Sequence, residues 1–197
     1  MTLNQFIALY DKENSIILLE GKRHVANADR GKLTALGRLL AEKTRKMLFR
    51  SGNADGADLL FSRGVVAVDP ARLQVITPYA GHRQKYNKAY DTIALDQMDI
   101  AAESDVVYQS RQNKQYNRLI DQYVAGSKNR LAAKAAYIIR DTLKAIGNAH
   151  VKPATFGIFY DDLANPMTGG TGHTMKVCMQ NQIPVIDQRV WMNWIEA

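Results

Sequence analysis

Short apolar runs alternate with helix-like periodicity along most of the chain, and this alternation constrains the fold most strongly. Runs rich in Ile, Leu, Val and Phe predict strands at residues 15–20, 47–50, 73–77, 105–108, 155–160 and 183–187. Helical spacing predicts helices at residues 32–47, 57–68, 90–103, 131–146 and 175–181, followed by a short terminal helix with Trp191 and Trp194. Apolar strands that alternate with helices are typical of a parallel sheet covered on both faces. We therefore expect an α/β fold with a mostly parallel sheet of about six strands.

Residues 109–154 interrupt this alternation, and we expect a helical crossover or insertion there, before the fifth strand. The segment contains one amphipathic helix, with an apolar face formed by Leu131, Ala135, Ile138, Thr142, Leu143 and Ile146. Residues 111–152 also hold only two acidic residues, Asp121 and Asp141, and account for the whole net charge of +7. Their basic residues are Arg111, Lys114, Arg118, Lys128, Arg130, Lys134, Arg140, Lys144 and Lys152. Such a basic face attracts polyanions, although a solvated helix surface with no partner is the alternative.

The composition favours a single domain that spans residues 1–197, because 46% of the residues are hydrophobic and can form a sizeable core. The longest apolar runs, such as Ile16 to Leu19, are too short to span a bilayer, and the first residues lack a signal-peptide pattern. Cys178 is the single cysteine, and no two histidines have metal-ligand spacing. We therefore expect a cytoplasmic protein without a membrane contact, disulfide, metal or cofactor, with Cys178 as a small buried side chain.

Two glycine-rich turns follow predicted strands and open directly into helices, at residues 51–58 and 168–174. Ligands of open parallel sheets bind beyond the carboxyl ends of the strands. Glycine lets the backbone approach a phosphate, and the first N–H groups of a helix point towards it. Neither turn is a Walker A motif or a complete G-x-G-x-x-G motif, which disfavours ATP hydrolysis and dinucleotide oxidoreduction. Tight strand-to-helix turns also need glycine for structural reasons alone, so that interpretation remains open.

The loops resemble those of a known family. Gly21-Lys22-Arg23 is similar to its Gly-Ser-Arg element, and residues 51–58 resemble the Ser-Gly-Gly-Ala-x-Gly-Ala/Ile-Asp element of the DNA-processing protein A fold. Residues 169–174 resemble the Gly-Gly-x-Gly-Thr phosphate loop of the LOG ("Lonely guy") proteins, once labelled lysine decarboxylases. Together these motifs resemble the SLOG superfamily. The resemblance covers most of residues 15–187 and implies a Rossmann-like three-layer sandwich, a nucleotide pocket at the strand ends, and a homodimer or higher homo-oligomer.

The loops at the strand ends and the resemblance together give a set of candidate ligand- and phosphate-binding residues. These are Gly21, Lys22, Arg23, Ser51, Gly52, Asn53, Ala54, Gly56, Tyr79, His82, Gly169, Gly170, Thr171, Gly172 and Thr174. Tyr79 and His82 are chosen from the loop after the third strand, as a ring that stacks on a base and a partner for a ribose or phosphate, and a plain surface loop is the alternative. The chain departs from the LOG pattern at two positions, because Lys176 replaces the catalytic Glu and His173 replaces the Thr after the last Gly. Asp161, Asp58 and His173 are the candidates for a replacement catalytic group. A helix-terminal charge for Asp58, a turn role for Asp161 and a hydrogen-bonded turn histidine are the respective alternatives.

Two functional hypotheses follow. In the first, the chain binds a nucleotide or an ADP-ribose-like ligand, which it senses, sequesters or hydrolyses at an N-glycosidic bond. In the second, it binds single-stranded nucleic acid through Arg111, Lys114, Arg118, Lys128, Arg130 and Lys134, as the similarity to DNA-processing protein A and the basic segment suggest.

Overall fold

The structure, a computed structural model, describes residues 1–195 and contains a six-stranded, all-parallel sheet with strand order β4-β3-β2-β1-β5-β6. The strands are β1 (Ile16–Gly21), β2 (Leu48–Ser51), β3 (Leu73–Thr77), β4 (Asp91–Ala94), β5 (Phe156–Tyr160) and β6 (Val185–Ile186). Helices cover both faces of this sheet. The predicted α/β class and the Rossmann-like three-layer arrangement are therefore confirmed.

Eight α-helices lie in the described part of the chain. They are α1 (Leu3–Tyr10), α2 (Asn27–Lys43), α3 (Ala57–Val66), α4 (Ser104–Arg111), α5 (Asn117–Val124), α6 (Arg130–Ile146), α7 (Gly169–Gln180) and α8 (Gln188–Trp191). The helices α5 and α6, with the last residues of α4, lie in the segment 109–154 that was predicted as a helical insertion before the fifth strand. None of the helices in residues 1–195 combines the length and the apolar character needed to cross a membrane.

Side-chain alternation along the central strand assigns the two faces of the sheet. Ile17 and Leu19 of β1 pack into a core with α1, α2, α3 and α8. Leu18 points to the opposite face, where the helices α6 and α7 cover it. Because successive strand residues face opposite sides, Glu20 shares the face of Leu18 and lies beneath α6 and α7. A charged side chain at the end of the central strand is therefore enclosed by helices.

The predicted fourth strand is wrong. Residues 105–108 belong to the helix α4, and the strand at this edge of the sheet is Asp91–Ala94, inside the segment predicted as helix. The β-branched pair Val106 and Val107 favours a strand locally, but both side chains are buried against the α6 side of the core, as one face of a helix allows. An edge strand of four residues that is largely exposed carries little apolar pattern by which to recognise it.

Candidate functional site

A cavity of about 840 Å³ opens at the carboxyl ends of the strands. It lies between the turn after β1 and the loop that joins β5 to α7, and the helix α6 forms a further wall through Tyr137 and Arg140. The strand β1 pairs with β2 along one of its edges and with β5 along the other edge, so the strand order reverses direction at β1. The loops after β1 and β5 therefore diverge here, and ligands of α/β sheets bind at such a switch point.

Nine of the predicted site residues line this cavity. They are Gly21, Lys22, Arg23, Ala54, Asp58, Asp161, Gly169, Gly170 and Thr171. Three segments far apart in sequence contribute them: the turns after β1, β2 and β5. The sheet brings these turns together because its strands are parallel and their carboxyl ends share one edge.

The helix α7 directs its amino-terminal end into the cavity. It begins at Gly169, and the N–H of Gly172 donates to the carbonyl oxygen of Thr168 in its first turn. Within residues 1–195 the N–H groups of Gly169, Gly170 and Thr171 have no hydrogen-bond acceptor, and Thr168 provides no side-chain cap. Free amides at a helix N-terminus bind anions through hydrogen bonds and the helix dipole.

Two cations flank this helix terminus. The ammonium group of Lys22 donates to the hydroxyl of Thr168 at 2.8 Å and to its carbonyl oxygen at 3.1 Å, so the side chain is fixed beside the start of α7. Arg23 lines the cavity with an exposed side chain that has no hydrogen bond or ion pair in the described part of the chain. A bound anion would therefore meet one fixed and one adaptable positive charge.

Asp161 follows β5 and is buried, and one of its carboxylate oxygens is covered by its neighbours and has no hydrogen-bond partner within residues 1–195. Its Oδ2 accepts a hydrogen bond of 2.7 Å from the N–H of Met167. Its Oδ1 has no hydrogen-bond partner within residues 1–195 and lies 3.8 Å from Nζ of Lys22. Buried carboxylate oxygens are nearly always hydrogen-bonded, so this atom is a candidate acceptor for a ligand hydroxyl.

The carboxylate oxygens of Asp162 and Asp58 accept hydrogen bonds from backbone N–H groups of the protein. Asp162 accepts from the N–H groups of Ala164 and Asn165, and these hydrogen bonds lower the pKa of its carboxyl group. Asp58 is buried and accepts at 3.1 Å from the N–H of Gly21 and at 3.1 Å from the N–H of Gly52. Asp58 therefore joins the turns after β1 and β2, which holds the cavity floor in shape.

A buried cluster of charges, which the sequence did not predict as a site, forms part of the cavity wall through Glu20, Arg140 and Asp141. Nζ of Lys144 lies 2.6 Å from Oε2 of Glu20 and 2.9 Å from Oδ1 of Asp141. The guanidinium group of Arg140 donates to the same Asp141 oxygen at 2.7 Å and to the carbonyl oxygen of Gly52 at 2.6 Å. We call Glu20, Arg140, Asp141 and Lys144 the ion cluster. It connects β1 and the β2–α3 turn to the helix α6.

Burial shifts the pKa of one carboxyl group of the ion cluster, and the neighbouring cations shift the pKa of the other. It raises the pKa of Glu20 to about 7, against the opposing effect of Lys144, and the negative charges of Asp141 and Asp58 raise it further. The pKa of Asp141 is lowered, because Arg140 and Lys144 outweigh the effect of burial on that carboxyl group. The cluster therefore contains one carboxylate that is firmly ionised and one that gains a proton near neutral pH.

The predicted basic face is smaller than the sequence suggested. Arg140 and Lys144 belong to the ion cluster and are buried, so they contribute nothing to an outer surface. The remaining basic residues of the segment are exposed: Arg111, Lys114, Arg118, Lys128, Arg130, Lys134 and Lys152. Asp121 pairs with Arg111 at 2.6 Å. A basic outer surface persists, but without the second half of α6.

The remaining predicted residues support the cavity or lie beside it. Ser51 is buried at the end of β2, and the amide of Asn53 donates to the carbonyl oxygen of His82 at 3.1 Å. A Cβ at Gly56 would lie 2.2 Å from the carbonyl oxygen of Arg23, so this turn requires glycine.

The helix α7 turns its other predicted residues away from the cavity. The hydroxyl of Thr174 donates to Oε1 of Glu20 at 2.7 Å. His173 forms a 2.9 Å hydrogen bond between its Nε2 and the hydroxyl of Thr142, and its ring contacts Tyr116 edge to face. Burial lowers the pKa of His173. A separate small pocket on the α4 side contains His173, so the structure does not bring it together with Asp161.

Tyr79 and His82 do not line the cavity, but ring contacts connect them to Tyr137, which does. The rings of Tyr79 and His82 are 5.0 Å apart, and His82 lies 5.7 Å from the ring of Tyr137, which lines the cavity. Burial, followed by the positive charges of Arg140 and other arginines, lowers the pKa of His82 to about 4. His82 is therefore a neutral imidazole at physiological pH.

The fold and the cavity together define a Rossmann-like α/β protein with a candidate ligand site at the switch point of its sheet. No protein-family model matches the sequence, and no curated protein matches it significantly. Among solved structures, the chain is similar to DNA processing protein A from Helicobacter pylori, described for its single-stranded DNA binding mode. The TM-score is 0.52 at 13% identity, and the match covers 89% of this chain and 65% of the other. This likeness concerns the fold, and the chain spans 65% of that protein's length.

Proposed function

We propose that the cavity binds a nucleotide or a nucleotide-derived ligand, with a phosphate group at the amino-terminal end of α7. The observation that carries the proposal is the set of free N–H groups at Gly169, Gly170 and Thr171, beside the fixed ammonium group of Lys22. A phosphate would satisfy donors that otherwise lack a partner, and Arg23 would neutralise a second charge.

The rest of the cavity suits the other parts of a nucleotide. Oδ1 of Asp161 is buried without a hydrogen-bond partner within residues 1–195, and it would accept a hydrogen bond from a ribose hydroxyl once the neighbouring Lys22 side chain turns towards the phosphate. Tyr137 offers an aromatic ring to a base on the α6 wall. The volume of about 840 Å³ is within the range of small-molecule sites, including those that hold a nucleotide or an ADP-ribose-like molecule.

The motifs of the three turns support membership of the SLOG superfamily as part of this proposal. Lys176 replaces the Glu of the LOG phosphate loop and is exposed, so hydrolysis would need another carboxylate. Asp161 is the candidate, because it lines the cavity and one of its buried oxygens has no hydrogen-bond partner in the described part of the chain. The test for hydrolysis is the release of free base from nucleoside monophosphates, measured by chromatography for the wild type and Asp161→Asn.

Calorimetric titration tests the binding proposal. We expect AMP, ADP or ADP-ribose to bind and adenosine, which lacks phosphate, to bind at least tenfold more weakly. Gly170→Val should abolish binding, because its side chain would occupy the cavity beside the free N–H groups of α7. The chain should stay folded, because a Cβ at Gly170 would meet only Oδ2 of Asp141, at 3.1 Å. Lys22→Met should weaken binding, whereas Lys43→Met, in the last turn of α2, is the matched control. Equal affinity of wild type and Gly170→Val for every ligand would contradict the proposal.

A second candidate function is the binding of single-stranded nucleic acid on the exposed basic surface of residues 111–134. The similarity to DNA processing protein A and the exposed positions of Arg111, Lys114, Arg118, Lys128, Arg130 and Lys134 favour it. Neutralising several phosphates would make the affinity for an oligonucleotide fall steeply with salt concentration. An affinity that does not depend on salt would exclude this candidate.

The family resemblance adds a proposal about assembly, namely a homodimer or higher homo-oligomer. Sedimentation velocity tests this directly, and a monomer at micromolar concentration would contradict it.

A further inference from the structure

An exposed loop rich in tyrosine and basic residues follows β3. We call residues 79–90 the tyrosine loop. Tyr79, Tyr86 and Tyr90 are 45%, 46% and 84% exposed, so none of the three rings is used in the core. Lys85 and Lys88 lie between them and are exposed, and the loop itself contains no acidic residue. Aromatic side chains interleaved with cations are typical of surfaces that bind single-stranded nucleic acids.

Hydrogen bonds to neighbouring elements anchor the tyrosine loop through two backbone groups and one side chain. The N–H of Ala80 donates to Asp96 at 2.9 Å, and the amide of Asn87 donates to the hydroxyl of Thr92 at 2.8 Å. The amide of Asn53 donates to the carbonyl oxygen of His82. The loop therefore presents exposed rings from a fixed backbone, which lowers the entropic cost of binding.

The positive charge of the loop is only partly compensated. Arg83 pairs with Asp55, and its guanidinium carbon lies 4.9 Å from the centre of the Tyr86 ring. Lys85 lies 5.9 Å from the same ring centre. No ion pair involves Lys85 or Lys88 in the part of the chain that the structure describes. Two lysines are therefore available to phosphate groups that pass the loop.

Ring contacts connect the start of the tyrosine loop to the α6 wall of the cavity. The rings of Tyr79, His82 and Tyr137 form a continuous series of edge-to-face contacts, and Tyr137 lines the cavity itself. His82 is neutral, so no charge interrupts this series at physiological pH. On α6, Lys134 lies one turn before Tyr137 and is exposed, so a further cation lies on the surface near Tyr137.

We propose that the tyrosine loop is a nucleobase-stacking site, and that the ligand is a single-stranded oligonucleotide with one nucleotide in the cavity and neighbouring bases on Tyr79, Tyr86 and Tyr90. The proposal rests on the proposed nucleotide cavity, because the loop extends it. Lys85 and Lys88 contact the phosphates of the strand. Stacking on exposed rings accepts any base, so the site selects unpaired strands rather than a sequence.

The test measures affinity as a function of strand length. Fluorescence anisotropy and competition compare a mononucleotide, a dinucleotide and a longer oligonucleotide, each as deoxyribose and as ribose forms. The test variant is the triple substitution Tyr79→Ala, Tyr86→Ala and Tyr90→Ala. Tyr108→Ala is the matched control, because Tyr108 is 62% exposed on α4, outside the loop. The triple change to Phe is the conservative variant, since Phe stacks as Tyr does.

We expect the wild-type affinity to rise with strand length, and each lost ring to cost about fivefold or more for the longest strand. The Phe variant and Tyr108→Ala should keep the length dependence. The double variant Tyr86→Ala/Tyr90→Ala, which leaves Tyr79 in place, should lose part of the length dependence and keep the mononucleotide affinity. A duplex, whose bases are already stacked, should gain nothing from the three tyrosines.

Two results separate this proposal from the cavity proposal. If the mononucleotide binds but affinity does not rise with length, or if the triple Ala variant keeps the rise, the stacking site is refuted and the cavity stands. If no mononucleotide binds, the cavity proposal fails, and an unchanged oligonucleotide affinity in the triple Ala variant refutes the loop as well.

Discussion

Lys144 offers a stringent test of the ion cluster. Its side chain is 0% exposed, with Nζ 2.6 Å from Glu20 and 2.9 Å from Asp141. Lys144→Met keeps the length of the side chain but removes the charge, and Glu20 then remains buried with only the hydroxyl of Thr174 as a donor. Removing one partner of a buried ion pair costs about 3–5 kcal/mol. Asp141 retains Arg140, so we expect a loss near the lower end, about 3 kcal/mol in the free energy of unfolding.

The pH dependence of this loss identifies its cause. Glu20 already has a pKa of about 7, and the loss of Lys144 raises it further. At about pH 8 Glu20 is ionised in the unfolded chain, and folding must either bury that charge without a cation or protonate it, whereas at about pH 5.5 the group is protonated in the folded chain at little cost. The double variant Glu20→Gln/Lys144→Met removes both charges, and we expect it to recover most of the loss.

Urea unfolding followed by circular dichroism measures these free energies at both pH values. Lys43→Met, in the last turn of α2, should change the free energy of unfolding by less than about 0.5 kcal/mol. A cost below about 1 kcal/mol for Lys144→Met at the higher pH, or the same cost at both, would refute the role assigned to the ion cluster.

Three further predictions concern single positions. Folding raises the pKa of Glu20 from 4.5 to about 7, so between these pH values the folded chain binds more protons than the unfolded chain. The free energy of unfolding of the wild type should therefore fall as the pH rises from about 4.5 to about 7. Glu20→Gln should lack this fall in urea titrations. The Cys178 thiol has a pKa raised to about 12 by burial, so a disulfide reagent should label it in the unfolded chain and hardly at all in the native one. Gly172→Ala should prevent folding or cost several kcal/mol, because its Cβ would lie 1.9 Å from the carbonyl carbon of Met167. At Gly31 in α2 an added Cβ meets no atom, so Gly31→Ala should stabilise the helix by about 0.5–1 kcal/mol. Thermal melts measure both effects.

Five of the six strands could be predicted from the sequence because each contains a short apolar run, which is longest in the buried strands β1 and β5. The strand β1 reads Ile-Ile-Leu-Leu before Glu20, and β5 reads Phe-Gly-Ile-Phe-Tyr. The edge strand β4 could not be found in this way, since only Ala94 of its residues is buried. The helix α1 was also not predicted, although Thr2 and Gln5 form a capping box at its start.

The three turns of the candidate site were predictable for a different reason, since glycine and small polar residues follow each strand end. The ion cluster was not, because helical periodicity assigns residues to faces but does not reveal how many faces are covered. The second half of α6 is buried on nearly every side, so Arg140 and Lys144 are enclosed along with the apolar residues. A usable signal was present: Asp141 lies between these two cations in a largely apolar segment, and Glu20 ends an apolar strand.

The pairing of β1 with β5 determines when during folding the cavity is formed. Ile17 pairs with Phe156, and Glu20 contacts Lys144, so partners more than a hundred residues apart must meet. The strands β1 to β4 can assemble from nearer neighbours, but they leave one edge of β1 unpaired and Glu20 without its cation. Closing so long a loop costs entropy before any contact repays it, and such long-range pairing slows folding. The ligand site therefore cannot be complete until these long-range pairs have formed.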